Sequence, residues 1–256
     1  MFRNNDSIKV SGMETRGTLV SYRIDEGIGT ITMNDGKVNA LSLPMLAQLN
    51  SAFDRAESEG AVVVLTGREG VFSAGFDLTT LRAGGPDALA MVQGGFELTS
   101  RMLSFPSPVL IACSGHAIAM GMFLLLSGDY AIGAAGPYKI TANEVAIGLS
   151  IPMAGAEICR QRLAPAYLVR TLLLAEVFAP GEAVTAGFVD QVVPATELQD
   201  TARTVAAGFR KLDMKAHLTS KLRLRADLLK AINASISTDT AALATQSGSD
   251  SDSDSR

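Results

Sequence analysis

From residue 108 to residue 128 the chain carries no Asp, Glu, Lys or Arg. A run of that length comes close to the roughly 20 apolar residues that a helix needs to cross a bilayer. Ser114 and Gly115 divide it, with β-branched and aliphatic residues before them and Met- and Leu-rich residues after. Strand, turn and buried helix therefore fit the run better than a membrane span. A strand and a helix that are both apolar all round need cover on every side, which a layered α/β interior provides. With 256 residues, 47% of them hydrophobic, the chain can build one such core.

The flanking pattern repeats the same order. Residues 18–25 and 29–32 read as a hairpin. Ser42 is placed to cap a helix that has Pro44 in its first turn and runs to about residue 58. A buried strand over 61–66 leads into a glycine-rich loop and then a helix over 86–104. A strand over 108–114, a helix over 119–127 and a strand over 129–132 follow, and from residue 152 the pattern is mainly helical. The closing helical segment, 214–233, is expected to turn its Lys and Arg residues outward. Strand-then-helix repetition predicts α/β layering with parallel strands. The expected organisation is a flexible extension (1–16), a core (17–195), a helical C-terminal region (196–245) and a disordered acidic tail (246–256).

Composition narrows the function classes. A formal net charge of −4 and a pI near 5.3 provide no basic footprint for nucleic acid. Cys113 and Cys159 lie far apart in apolar surroundings, matching neither a metal site nor a disulfide and fitting a reducing cytoplasm. His116 and His217 are the only histidines, too few for a histidine-rich metal centre and poor material for a Ser-His-Asp triad. Residues 1–16 are polar and lack the apolar stretch of a secretory signal. No metal and no membrane insertion are expected.

Two loops carry candidate chemistry. Residues 67–78, GREGVFSAGFDL, leave a buried strand through Ser73, Ala74 and Gly75, small enough for a ligand to approach the backbone. The spacing of a phosphate-binding P-loop is absent. Residues 113–129, CSGHAIAMGMFLLLSGD, again feed a strand into a helix through small residues. The first N–H groups of such a helix lack internal partners and suit a developing negative oxygen.

In these loops, Phe72-Ser-Ala-Gly-Phe-Asp-Leu78 resembles the FSAGxDL segment of the crotonase, or enoyl-CoA hydratase/isomerase, family. The run from Gly115 to Gly121, followed by Asp129, is similar to that family's second signature, and Val38-Asn-Ala-Leu-Ser42 resembles its NAL segment. The likeness extends over about residues 18–193. It implies a spiral of strand-strand-helix turns with a helical C-terminal region, and chemistry on acyl-coenzyme A thioesters without a separate cofactor. It also implies a homotrimer or hexamer. By residue matching, the amides of Ala74 and Met120 would hold the thioester oxygen. Lys37, Val38, Ala40, Ser73, Gly75, Phe76, Asp77, Leu78, Gly121 and Phe123 would contact substrate or CoA.

Family hydratases resemble one another in carrying two glutamates. The first corresponds here to Phe123, which can neither orient water nor move a proton. The second corresponds to Glu144 in Asn143-Glu144, a pair closer to that of the Δ3,Δ2-enoyl-CoA isomerases. An isomerase needs one carboxylate to carry a proton from C2 to C4, and Glu144 would be that shuttle. A single-glutamate hydratase and a non-catalytic acyl-CoA-binding protein are the alternatives. Asp77 and Glu97 are weaker carboxylate candidates, and Asp129 is expected to cap or pack. Met91, Met102, Met120 and Met122 are candidates to line an adaptable acyl pocket, with buried core as the default for each.

Overall fold

A computed structural model of the chain describes residues 17–249. The expected N-terminal extension (1–16) lies outside the described residues, as does the tail from residue 250 onward. The strands in chain order are β1 (Val20–Asp25), β2 (Ile28–Met33), β3 (Val62–Thr66), β4 (Gly70–Ser73), β5 (Val109–Cys113), β6 (Gly115–Ile118), β7 (Tyr130–Ala135), β8 (Ile140–Thr141) and β9 (Gln191–Pro194). The helices are α1 (Leu43–Ser58), α2 (Leu78–Ala83), α3 (Gly85–Ser104), α4 (Met120–Leu125), α5 (Met153–Arg162), α6 (Pro165–Leu172), α7 (Pro180–Ala186), α8 (Leu198–Phe209), α9 (Met214–Leu224) and α10 (Ala226–Ser249).

β1 and β2 form the expected hairpin, closed by Glu26 and Gly27, both at positive φ (47° and 72°). Two such residues make the turn whose twist matches that of paired strands. β2 then pairs in parallel with β3, and the large sheet continues in the order β1-β2-β3-β5-β7-β9. Its central strands β3 and β5 are buried along their whole length, so both faces need cover. One face packs on the main core, which includes Phe53, Phe72, Phe96 and Phe123. The other is covered by α8, whose Leu198, Ala202 and Ala206 meet Val62, Val64, Leu110 and Ile132.

Taken residue by residue, the two signature loops read as strand-to-helix connections, whereas the structure has the strand-strand-helix turns that the family resemblance implies. Each contains a four-residue strand, β4 and β6, which pair in parallel and, with β8, make a second small sheet. The chain thus runs large-sheet strand, small-sheet strand, helix, and repeats that turn after β3, β5 and β7. Strands so short leave too few residues for alternation to be legible.

The C-terminal region departs further from expectation. Segment 214–233 is two helices broken at Arg225, and its basic residues do not all face outward. Lys221 and Arg225 are buried and converge on Asp129, with Nζ–Oδ2 2.7 Å and Nη1–Oδ1 2.8 Å. Asp129 Oδ2 also accepts the Val109 N–H at 2.7 Å, and Arg225 donates to the Leu103 and Gly128 carbonyls. The carboxylate between α4 and β7 supplies the counter-charge that lets two cations enter the interior. α10 continues to Ser249, so residues 246–249 are helical where a disordered tail was expected. Among the described residues, no helix is long and apolar enough to cross a membrane.

Candidate active site

Asn39 builds the floor of the site. It is fully buried at φ 52° and donates through Nδ2 to the carbonyls of Met33, Val71 and Phe72 at 3.1–3.2 Å. Its own N–H, with those of Lys37 and Ala40, goes to Asp35. Burial pushes the Asp35 carboxyl upward, but these three donors outweigh it and leave it below the usual carboxylate range. Ser73 Oγ donates to the Asn39 carbonyl (2.8 Å) and accepts the Gly75 N–H (3.2 Å). The NAL segment is therefore a clamp that sets the shape of the first signature loop.

That clamp decides which amides are free. The Ala74 N–H is bonded to the Val38 carbonyl at 3.0 Å, so the structure corrects its assignment as a ligand donor. Two residues on, the Phe76 N–H has no acceptor among the described residues. Gly75, at φ 90°, lies so close to α4 that a Cβ there would stand 3.1 Å from the Met120 nitrogen. Met120 opens α4, and its N–H likewise has no acceptor among the described residues. Phe76 and Met120, on either side of this contact, thus present the unpartnered N–H groups of the two loops.

Ala119 precedes Met120 at φ 51°, ψ −125°, a region that side chains rarely occupy. Its N–H donates to Thr141 (2.9 Å) and its carbonyl accepts from Met122 (2.8 Å) and Phe123 (3.2 Å), which hold it there. Relief of strain worth about 1–3 kcal/mol is opposed by glycine's greater freedom when unfolded. Ala119→Gly should therefore raise stability by about 1 kcal/mol in urea denaturation, and a destabilised variant would contradict a strained Ala119.

Beside these amides is a cavity of about 210 Å³ with mainly apolar walls. Ala74, Phe76, Leu78, Met120, Phe123 and Glu144 all contribute to its lining. Glu144 sits where β8 gives way to a short 3-10 turn, Val145–Ile147, and its carbonyl accepts the N–H groups of Ile147 (3.0 Å) and Leu149 (2.9 Å). Gly148 closes that turn at φ 82°, a left-handed conformation that glycine adopts freely. Glu144 is 8% exposed, and its Oε2 is buried without a partner among the described residues, as is Asn143 Oδ1. Burial raises its pKa from 4.5 to about 7, only partly offset by a hydrogen bond from its own backbone.

Phe123 forms part of the cavity wall. Its ring is seated on α5, where a Cβ at Gly155 would be 2.7 Å from Cζ. Phe96 lies 6.1 Å from it and 6.4 Å from Phe76, centroid to centroid. Gly95 leaves room for the Phe76 ring as Gly155 does for Phe123. Two glycines on different helices thereby set two aromatic walls.

Other expected contact residues shape the site from outside the cavity lining. Asp77 caps α2 through the Thr80 N–H (2.8 Å). Gly121 lets α4 approach the Ser73 carbonyl, which a Cβ would meet at 2.3 Å. Val38 and Ala40 belong to the clamp, and Lys37 is exposed beside it. Of the four methionines only Met120 reaches the cavity; Met91, Met102 and Met122 are core. Glu97 accepts from Gln93 (2.7 Å) on an exposed face. Phe96, Val92, Ile151 and Asp239 line the cavity without having been singled out in the sequence. Phe96 carried a helical-spacing signal shared with every core residue of α3; Asp239 carried none.

The sequence matches the profile described as enoyl-CoA hydratase/isomerase over residues 23–252. It is 31% identical over 215 residues to human mitochondrial enoyl-CoA delta isomerase 1, covering 81% of this chain and 70% of that protein. A probable enoyl-CoA hydratase of Bacillus subtilis is 28% identical over 196 residues, covering 74% and 75%. Among solved structures, an enoyl-CoA hydratase/isomerase family protein from Pseudomonas syringae superposes with TM-score 0.85 at 45% identity, over 87% of this chain and 96% of the other. Human mitochondrial delta3-delta2-enoyl-CoA isomerase gives TM-score 0.84 at 28% identity, over 90% and 93%. Profile, sequence relatives and two-sheet spiral agree, and the chain belongs to the enoyl-CoA hydratase/isomerase family of enzymes.

Proposed function

We propose that the protein isomerises 3-enoyl-CoA to 2-enoyl-CoA thioesters, with Glu144 as the proton shuttle. The carrying observation is a buried carboxyl with a free oxygen in an apolar cavity that also presents two unpartnered amides. Ionised Glu144 takes the C2 proton of the 3-enoyl thioester, and the electron pair moves through the thioester to give a dienolate. The Phe76 and Met120 N–H groups receive the charge that develops on its oxygen, a selective stabilisation of the transition state. Protonated Glu144 then returns the proton at C4, leaving the double bond at C2. A pKa near neutrality suits a group that must take and give the same proton.

Hydration needs a second polar group to place water, and Phe123 occupies that wall. Asp239 is the other carboxylate in the lining, and both its oxygens accept amides of α5. In the same reading, exposed Lys37 meets a CoA phosphate, and the chain assembles as a trimer or hexamer. The test is a spectrophotometric assay of 3-enoyl-CoA and 2-enoyl-CoA substrates side by side. The expected result is turnover of the first and little hydration of the second. Hydration at a rate equal to or above isomerisation would overturn the assignment, and tight acyl-CoA binding without either reaction would favour a binding protein. Phe123→Glu should admit measurable hydration at a cost in stability, because a second carboxyl would be buried against Phe96 and Gly155.

A further inference from the structure

α5 begins at Met153 after Pro152, which offers its first amides no side-chain acceptor. The acceptors come from far along the chain: Asp239 on α10 takes the Met153 N–H on Oδ1 (2.9 Å) and the Ala154 N–H on Oδ2 (3.0 Å). A carboxylate at a helix N-terminus is favoured both by the unsatisfied donors and by the helix dipole. This one also lines the acyl cavity, together with Ile151 and Pro152 from the lead-in to α5. The next residue of α5, Gly155, supports the Phe123 ring. Phe123 rests on Gly155, and Asp239 holds the two residues before it, so the aromatic wall and the carboxylate are both fixed to the start of α5. Met120, Phe123 and Asp239 line the same cavity.

We propose that Asp239 is a specificity-determining residue that sets the length of acyl chain the cavity admits. This rests on the acyl-CoA reading above. Methylene groups gain by entering the apolar space between Phe76, Phe96 and Phe123, by about fourfold in affinity for each one buried. At Asp239 that gain stops, since a tail pressed against the carboxylate must strip water from a charge or displace it from two helix amides. Tethering by α10 also means that the C-terminal helix, although remote in sequence, forms part of the substrate site.

The experiment measures dissociation constants of saturated, non-reactive acyl-CoAs of increasing chain length by calorimetry. It compares the unmodified protein with Asp239→Ala and Asp239→Glu. For the unmodified protein, affinity should rise with length and then break. Asp239→Ala should move the break to longer chains. Asp239→Glu, which retains the charge and advances it by one methylene, should move it to shorter ones. A merely structural role would weaken all lengths alike, and that result would overturn the proposal, as would breaks at one common length. If Asp239→Ala does not fold, the shift in Asp239→Glu decides. Failure of the unmodified protein to bind any acyl-CoA would instead remove the functional reading, and this inference with it.

Discussion

Glu144→Gln should lower turnover of a 3-enoyl-CoA by roughly 10²–10⁴, the usual contribution of a positioned acid–base group. The amide retains the size and hydrogen-bonding capacity of the carboxyl and removes its basicity. Affinity for a non-reactive acyl-CoA should change much less, so paired kcat and Kd measurements separate catalysis from binding. Unchanged kcat would take Glu144 out of the mechanism. The pH profile provides a second readout. With a pKa near 7, the base is progressively protonated below neutrality, and kcat/KM should fall as pH drops through about 7.

The same shift makes a stability prediction of defined sign. The folded-state value, about 7, lies above the ordinary 4.5. Burial of the neutral acid is therefore tolerated fully below pH 4.5, and the stability it allows is lost as pH rises through 7. Above that range the ionised group costs about 3 kcal/mol. Glu144→Gln should match the unmodified protein in acid and exceed it in urea resistance at pH 8. An enzyme that holds its base in an apolar wall is less stable for it, a trade seen at many active sites.

Asp129→Asn should destabilise the protein by about 3–5 kcal/mol, the largest stability effect expected of any single change here. The substitution removes the one carboxylate that pairs with buried Lys221 and Arg225 among the described residues. Burial already lowers the Lys221 pKa, with Asp129 opposing it. Adding Lys221→Met to Asp129→Asn should recover part of the loss, because one uncompensated cation is then replaced by a side chain of similar length. Urea denaturation of the single and double variants checks both signs. A loss below about 1 kcal/mol would mean that water reaches the cluster and that the pair behaves as a surface ion pair. Because Arg225 sits at the junction of α9 and α10, loosening this cluster should also free the helix that carries Asp239.

Much of this molecule was legible from local sequence. The uncharged run over 108–128 became β5, β6 and α4, and the AVVVLT run over 61–66 contains β3, because apolar composition and residue spacing record which faces must be buried. Ser42 caps α1 as expected, accepting the Met45 N–H, since a cap and its helix lie within one turn of each other. The motifs marked the two loops, Glu144 and Phe123, and the structure brings all of them to one cavity.

What local sequence did not determine were partnerships between distant groups. Whether Ala74 or Phe76 presents a free amide depends on a hydrogen bond to Val38, formed when the clamp around Asn39 closes. Lys221 and Arg225 belong to a segment whose charges read as a solvated face, and only the position of Asp129, some ninety residues earlier, draws them inward. Asp239 looks like any polar helix residue until α10 packs across α5 and gives it two amides to accept. Residue type and spacing set which groups need a partner; the packing of helices and sheets in three dimensions sets which partner each one finds.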